Sequence, residues 1–197
     1  DSGQLFNIAA IAGGFVIDTA DNILMVCPPP GECILLDEGD DPAAQGIALG
    51  ITAHAGEWGG PDSVRAAMND LNAERIGHGV RAIEDMALVE EIAERGVVLE
   101  MCPGSNVALG LYPDFRKHPI GEMFNRGVKV TVSTDDPPFF HTTMAREYDM
   151  LNRAFDWDEG VFAKIARTSL DAAFCDSDTK ARIAKKLDPT TSEPNHA

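Results

Sequence analysis

From about residue 47 onward, short runs of β-branched residues alternate with segments of helical periodicity, and this alternation repeats four times. The predicted strands are 51–55, 75–79, 97–101 and 128–132, and the segments between them carry apolar residues at helical spacing. Strands that alternate with amphipathic helices favour parallel pairing with right-handed crossovers. The pattern therefore predicts an α/β fold with four parallel strands in sequential order and the helices packed on one face of the sheet.

The regions on either side of this repeat read differently. Residues 1–46 are irregular, with three short apolar runs cut by Pro28-Pro29-Pro30-Gly31 and by an acidic stretch at 37–42, and they predict short strands joined by loops. Two predicted helices close the chain, one with an apolar seam over 161–173 and one over 179–187 with a basic last turn. We expect a divergent segment 1–46, a regular unit 47–187 and a disordered tail 188–197.

Composition limits the classes of partner. The 197 residues carry a formal net charge of -16, which would repel a nucleic-acid backbone or an anionic membrane but is compatible with an uncharged small substrate. The apolar runs are too short to span a bilayer. Four cysteines, Cys27, Cys33, Cys102 and Cys175, form no CxxC pair, and they favour free thiols in a reducing cytoplasm.

Polar residues lie where three of the predicted strands end. His54 and Glu57 follow the first strand, His78 ends the second, and Asp135 and Asp136 follow the fourth. Taken singly, each has a structural interpretation: a hydrogen-bonded histidine, a loop carboxylate, or a turn at Asp-Asp-Pro. In a (β/α)8 barrel, however, the strand ends share one mouth, and together these residues predict a metal-hydrolase site.

Four motifs in order make the interpretation more specific. They are Thr52-Ala53-His54-Ala55-Gly56-Glu57, Arg75-Ile76-Gly77-His78-Gly79, Cys102-Pro103-Gly104-Ser105-Asn106 and Ser133-Thr134-Asp135-Asp136-Pro137, of which the third alone would read as a turn. From about residue 47 to 187 the chain resembles the adenosine deaminase family, which includes adenine deaminases. The resemblance implies an incomplete (β/α)8 TIM-type barrel, made of about its last four βα units plus C-terminal helices. The His-x-Glu and Pro-Cys-x-x-Cys signature of cytidine-type deaminases is absent from the sequence.

The resemblance also implies roles for individual residues. His54 and Asp135 are similar to two of the four protein ligands of a single Zn²⁺. His78 is similar to the histidine that orients and helps to deprotonate the attacking water. Glu57 is similar to the acid that protonates purine N1, and Asp136 to the residue that hydrogen-bonds N7. The implied reaction is hydrolytic deamination of adenosine to inosine, or of adenine to hypoxanthine, with release of ammonia.

The sequence departs from the family at the other half of the metal site. The family takes two further zinc ligands from a His-x-His on its first barrel strand, whereas none of the five histidines here is so spaced and residues 1–53 contain none. Gly13-Gly14-Phe15 resembles the family's glycine-rich substrate loop only in part. We therefore expect the chain to lack the N-terminal half of the barrel and to leave two strand edges unpaired, available for self-association.

Three functional hypotheses follow. The favoured one is a zinc-dependent aminohydrolase acting on adenosine or adenine. The second is a non-catalytic remnant, or a fragment that associates with a partner, because half of the metal site is missing. The third is another amidohydrolase-type barrel. The paired carboxylates Asp135-Asp136 argue against that reading, because a general amidohydrolase needs only the single aspartate.

Overall fold

The computed structural model describes residues 50–187 and the backbone of residues 15–18, 23–26 and 34–36. Its strands are β1 (Phe15–Asp18), β2 (Ile23–Val26), β3 (Ile34–Leu36), β4 (Ile51–Ala55), β5 (Arg75–His78), β6 (Val98–Met101) and β7 (Lys129–Val132). Its α-helices are α1 (Pro61–Asn69), α2 (Met86–Arg95), α3 (Pro103–Ala108), α4 (Ile120–Asn125), α5 (Pro137–Phe140), α6 (Met144–Phe155), α7 (Glu159–Ala172) and α8 (Ser177–Leu187). The tail predicted to be disordered, 188–197, lies outside the described residues.

The strands form one sheet in the order β3-β2-β1-β4-β5-β6-β7. The four strands β4 to β7 pair in parallel and in sequential order, as the alternating pattern predicts. The three strands from the irregular segment lie beyond β4, and β1 pairs with β4 in parallel. The expectation of an unpaired edge at the first strand of the repeat is therefore wrong, because main-chain hydrogen bonds from β1 satisfy that edge.

Alternate residues of the strands separate the two faces of the sheet. The register aligns Ala53, Ile76, Leu99 and Val130 in one row, and this row is buried in the core. Helices α1, α2 and α4 supply the side chains that pack in the same core, among them Met68, Leu88 and Met123. On the opposite face, the ring of Phe174, just after α7, lies 4.5 Å from the guanidinium carbon of Arg75. Helices thus cover one face as predicted, while the segment after α7 contacts the other.

Local signals explain where the helices begin and end. Helix α1 begins at Pro61, whose missing N–H would have no partner in a first turn. The carboxylate of Asp85 accepts hydrogen bonds from the backbone N–H groups of Ala87 and Leu88 at the start of α2, and Gly96 ends that helix with a left-handed φ of 70°. Among the described helices, none combines the length and apolarity needed to cross a bilayer.

The structure contains helices that the sequence pattern did not predict. The motif at 102–106, which reads alone as a turn, is the start of α3, and two further helices, α5 and α6, lie between β7 and α7. A 3-10 helix, Val80–Glu84, separates β5 from α2. Proline at the first helical position marks both α3 and α5. The pattern missed them because they are only six and four residues long.

Candidate active site

The carboxyl ends of the four parallel strands bring the predicted polar residues to one edge of the sheet. His54 lies within β4 and Glu57 two residues beyond it, His78 is the last residue of β5, and Asp135 lies three residues beyond β7. The Nε2 atom of His78 is 3.6 Å from Glu57 Oε2 and 4.0 Å from Asp135 Oδ2. The ring centroids of His54 and His78 are 5.3 Å apart. Four of the five residues singled out in the sequence therefore converge.

Asp136 is the fifth. It immediately follows Asp135 and precedes α5, and its side chain is half-buried. Within the described part of the chain, no hydrogen bond or ion pair joins its carboxylate to the other four residues. Asp136 thus borders the group without taking part in its contacts.

The backbone at the strand ends is shaped to aim these side chains. His78 and Asp135 have φ angles of 64° and 59°, a left-handed conformation that is uncommon for residues other than glycine and is found mostly at turns and functional sites. Gly77 makes room for the histidine on the neighbouring strand, because a Cβ at residue 77 would lie 3.2 Å from the His54 ring. The arrangement therefore depends on local backbone geometry as well as on residue type.

Hydrogen bonds from α3 fix one carboxylate of the group. The hydroxyl of Ser105 donates to Asp135 Oδ2 at 2.6 Å, and Ser105 is fully buried. The backbone N–H of Gly104 donates to the carboxylate of Glu147 at 2.9 Å, and that carboxylate also accepts a 2.6 Å hydrogen bond from Thr142. Glu147, on α6, is completely buried. The start of α3, which carries Ser105, is therefore anchored by a side chain of α6.

Burial shifts two of the titratable groups in opposite directions. Burial first, and the nearby charge of Asp135 second, raise the pKa of Glu57 to about 7. Burial, followed by repulsion from His54, lowers the pKa of His78 to about 4. Near pH 6 both groups are mostly neutral, so their 3.6 Å contact is not an ion pair at that pH. A protonated carboxyl group beside an uncharged imidazole can supply a proton at neutral pH.

The donor set fits one side of a zinc site. Imidazole nitrogen and carboxylate oxygen are ligands that Zn²⁺ takes, and His54, which is exposed, and Asp135 offer one of each. Side-chain atoms of His78, Cys102 and Asp135 also lie within 4.8 Å of one another. Cys102 is buried, and burial together with the surrounding carboxylates raises the pKa of its thiol, which disfavours the thiolate in the absence of a metal. His54 and Asp135 are therefore candidate ligands, and His54 is not a member of the group whose ligand atoms lie within 4.8 Å of one another.

Two buried residues of this region were missed in the sequence. Asn106 lies behind His78, with its Nδ2 atom 3.3 Å from His78 Nδ1, and His118 lies behind Asn106, with Nε2 3.1 Å from Asn106 Oδ1. Asn106 belongs to a quoted motif but was assigned no role, and His118 precedes a proline outside every motif. The only sequence signal for this pair was the presence of a histidine, His118, in a segment that the pattern assigns to a loop.

Comparison with known proteins identifies the family that this chain matches. Residues 43–190 match the family model described as Adenosine deaminase. The chain is 48% identical over 144 residues to an adenine deaminase of Rhizobium leguminosarum bv. trifolii, covering 73% of this chain and 45% of that protein. It is 49% identical over 144 residues to an adenine deaminase of Agrobacterium fabrum, with 73% and 44% covered. The chain thus spans less than half the length of these curated relatives.

Solved structures show the same partial coverage. The crystal structure of an adenine deaminase from Arthrobacter aurescens superposes with a TM-score of 0.69 at 32% identity, covering 74% of this chain and 44% of that one. An amidohydrolase from Burkholderia ambifaria, solved with bound Zn, superposes with a TM-score of 0.66 at 29% identity, covering 76% and 42%. The sheet and helices described here correspond to less than half of each neighbour.

Proposed function

This chain belongs to the adenosine deaminase family, and we propose that it carries the C-terminal part of the active site of an aminohydrolase that converts adenine and water to hypoxanthine and ammonia. Adenine is favoured over adenosine because the relatives that match at 48–49% identity are named adenine deaminases. The reaction class is supported most directly by one observation. Glu57 and Asp135 both lie within 4.0 Å of His78 at the carboxyl edge of a parallel sheet.

The proposed activity requires a Zn²⁺ ion, and this ion is part of the proposal. His54 and Asp135 would hold one side of a Zn²⁺ ion, and a bound zinc would lower the pKa of water toward neutrality and so supply a nucleophile. The 197-residue sequence contains no His-x-His pair. The remaining two ligands would come from other residues of this chain, from chain beyond this sequence or from another molecule.

Glu57 acts as the general acid in this mechanism. Its raised pKa of about 7 keeps the carboxyl group largely protonated below neutral pH. Donation of that proton to purine N1 lets the ring accept electrons when water attacks C6. The Asp135 carboxylate takes the proton that the water loses and passes it to the amino group, which leaves as ammonia. The C6 hydroxyl then returns a proton to Glu57 as the carbonyl forms. An amide at position 57 has the same shape but no acidic proton.

The other residues bind and orient. His78 faces Glu57 and Asp135 with its Nε2 atom and orients the attacking water between them. Asp136, half-buried beside Asp135, hydrogen-bonds purine N7. Ser105 holds the Asp135 carboxylate through its 2.6 Å hydrogen bond. Each group lies in a strand or within four residues of its carboxyl end, which suits a reaction that depends on orientation.

A chimera tests the proposal. Residues 43–190 replace the matching segment of the Agrobacterium fabrum adenine deaminase, whose remaining residues supply the rest of the enzyme. The zinc-loaded chimera is expected to release ammonia from adenine, measured by coupled assay and by the change from adenine to hypoxanthine absorbance. Adenosine serves as the competing substrate.

Two results would contradict the proposal. A folded chimera with one equivalent of zinc and no release of ammonia from adenine or adenosine would favour the second hypothesis, a non-catalytic fragment. Faster turnover of adenosine than of adenine would reverse the substrate assignment. The location proposed for the protein is the cytoplasm, supported by the free thiols of Cys102 and Cys175.

A further inference from the structure

A buried chain of hydrogen bonds runs from the backbone of α4 to the back of His78. The backbone N–H of Ile120 donates to His118 Nδ1 at 3.2 Å. His118 Nε2 lies 3.1 Å from Asn106 Oδ1, and Asn106 Nδ2 lies 3.3 Å from His78 Nδ1. Two side chains, His118 and Asn106, therefore connect the main chain of one helix to the imidazole of His78 in the candidate active site.

The three side chains of this hydrogen-bonded chain, His118, Asn106 and His78, form a relay that is shielded from solvent. His78 and His118 are each 2% exposed, and Asn106 is fully buried. Buried polar atoms that lose a protein partner have no bulk water to replace it, and leaving one unpaired costs about 1–3 kcal/mol. We therefore expect the protons of the relay to be placed so that every buried donor meets an acceptor.

The direction of the relay follows from its first member. A backbone N–H can only donate, so His118 Nδ1 accepts, and the proton of a neutral His118 is on Nε2. Burial lowers the pKa of His118 to about 3 and keeps that ring neutral. Nε2–H then donates to Asn106 Oδ1, which turns the NH₂ group of Asn106 toward His78. Rotating the amide by 180° would set N–H against N–H at His118.

We propose that His118 and Asn106 are positioning residues that hold neutral His78 in the tautomer with its proton on Nε2. Asn106 donates to Nδ1 of His78, so Nδ1 accepts and the ring proton is on Nε2. That nitrogen faces the carboxylates of Glu57 and Asp135, at 3.6 and 4.0 Å. The tautomer assignment stands on the hydrogen-bond geometry and on the burial of both rings, and its catalytic meaning rests on the proposed deaminase function.

This tautomer changes the role assigned to His78. With a proton on Nε2, the neutral ring presents a hydrogen-bond donor to the mouth of the site and has no lone pair there. His78 can then orient the oxygen of the attacking water by donating to it, but it does not remove a proton from it. The family resemblance implied both functions, and the relay retains only the first.

Ring nitrogen resonances test the tautomer directly. The full chain is prepared with ¹⁵N-labelled histidine, freed of metal with a chelator at pH 7.5, and examined by long-range ¹H–¹⁵N correlation spectroscopy. His78→Gln identifies the signals of His78 among those of the five histidines. We expect Nδ1 of His78 in the range of an unprotonated acceptor and Nε2 in the range of a protonated nitrogen. The opposite pattern would overturn the proposal without any variant.

Substitutions in the relay then test what sets the tautomer. Asn106→Asp replaces the NH₂ donor by an acceptor of the same shape, so Nδ1 of His78 should move to the protonated range. His118→Phe releases the amide, and both His78 nitrogens should move to intermediate values. His118→Gln retains an N–H donor for Asn106 and should restore the native pattern. The control is His141→Asn, at an exposed histidine outside the relay, which should leave His78 unchanged.

Circular dichroism establishes that each variant is folded before its spectrum is used. An unprotonated Nδ1 in folded Asn106→Asp, or a native pattern in folded His118→Phe, would contradict the proposal. If Asn106→Asp does not fold, the spectrum of the native chain and the comparison of His118→Phe with His118→Gln still test the proposed tautomer of His78. A chimera that fails to deaminate adenine would refute the proposed function while leaving this spectrum as predicted, so the two failures are distinguishable.

Discussion

At the scale of single residues, Glu57 and His78 are neighbours whose pKa values burial moves in opposite directions, up for the carboxyl group and down for the imidazole. The carboxyl group therefore keeps its proton where free glutamate would have lost it. In the chimera, Glu57→Gln should retain zinc and lose about 100-fold or more in kcat, because an amide has no acidic proton to give. Metal content and initial rates measured on the same preparation check this.

Two further variants make that result interpretable. Glu84→Gln makes the same change at an exposed glutamate paired with Arg81 and should leave kcat within about a factor of two. Asp135→Ala removes a proposed zinc ligand and should lose both metal and turnover. Near-native activity in Glu57→Gln would show that another group supplies the proton.

The lowered pKa of His118 predicts how the free energy of unfolding depends on pH. Its pKa is lowered to about 3 in the fold against 6.5 in an unfolded chain, so the unfolded state binds the extra proton between these values. Stability from this residue is complete above pH 6.5 and is lost as pH falls. Between pH 7.5 and 5 the native chain should lose about 2 kcal/mol more than His118→Gln. Urea unfolding at several pH values measures the difference, and parallel pH curves for the two proteins would contradict it.

At the scale of elements, the turn after β5 depends on close packing as well as on backbone conformation. Gly79 and Gly127 both have left-handed φ angles, 66° and 84°. A Cβ at residue 79 would lie 2.7 Å from Leu99 Cδ2, whereas a Cβ at 127 would meet nothing within 4 Å. Gly127→Ala should cost about 1 kcal/mol from strain alone. Gly79→Ala should cost about 1–3 kcal/mol more, from crowding.

Denaturant unfolding of the two alanine variants compares them under one set of conditions. The difference between them isolates the contact with Leu99, because both positions carry the same kind of backbone strain. Equal losses of unfolding free energy would mean that the Leu99 side chain moves aside at little cost. That result would show that the turn at Gly79 tolerates more than its geometry suggests.

The elements that the sequence predicted are those whose local pattern agrees with their packing. The four parallel strands are short runs with β-branched residues, α1 begins at Pro61, and α2 begins at the Asp85 cap and ends at Gly96. Helix α6 was not predicted, because Glu147 interrupts its apolar face with a carboxylate that only tertiary hydrogen bonds make acceptable. The local sequence around Glu147 does not show that Gly104 and Thr142 will donate hydrogen bonds to its carboxylate.

The residues of the candidate site also fall into two groups, those that could be selected from the sequence and those that could not. His54, Glu57, His78 and Asp135 could be selected because strand ends share an edge, a rule that depends only on the order of elements. His118 could not be selected, because its importance comes from contact with Asn106, a residue twelve positions away in the chain. The geometry that orients His78 is therefore invisible until α3 and α4 are placed beside β5.

At the scale of the whole molecule, the chain places His54 and Asp135 on one edge of the sheet but contains no His-x-His pair. Two zinc ligands fall short of the usual minimum of three for a catalytic site. The isolated chain should therefore hold well under one equivalent of zinc after dialysis and convert adenine far more slowly than the chimera. Metal analysis and ammonia release from the purified chain measure both quantities.

Stoichiometric zinc with turnover of about 1 per second or faster would contradict that expectation. Two or more copies would then have to share ligands, or residues 1–46 would have to supply them. Sedimentation at several concentrations distinguishes these cases. In the described sheet β7 is the terminal strand on the side opposite β3, so its outer edge is where we propose that another copy or the rest of a barrel pairs.

Asp135 combines two features that oppose folding. Its backbone is left-handed, with a φ of 59°, and its charge repels the carboxylate of Glu57. Asparagine tolerates that conformation, would keep an oxygen for the hydroxyl of Ser105, and carries no charge. Selection of random variants for heat resistance alone should therefore enrich Asp135→Asn. The same substitution would remove the carboxylate on which the proposed reaction depends, so a gain in stability at residue 135 would come with a loss of the proposed activity.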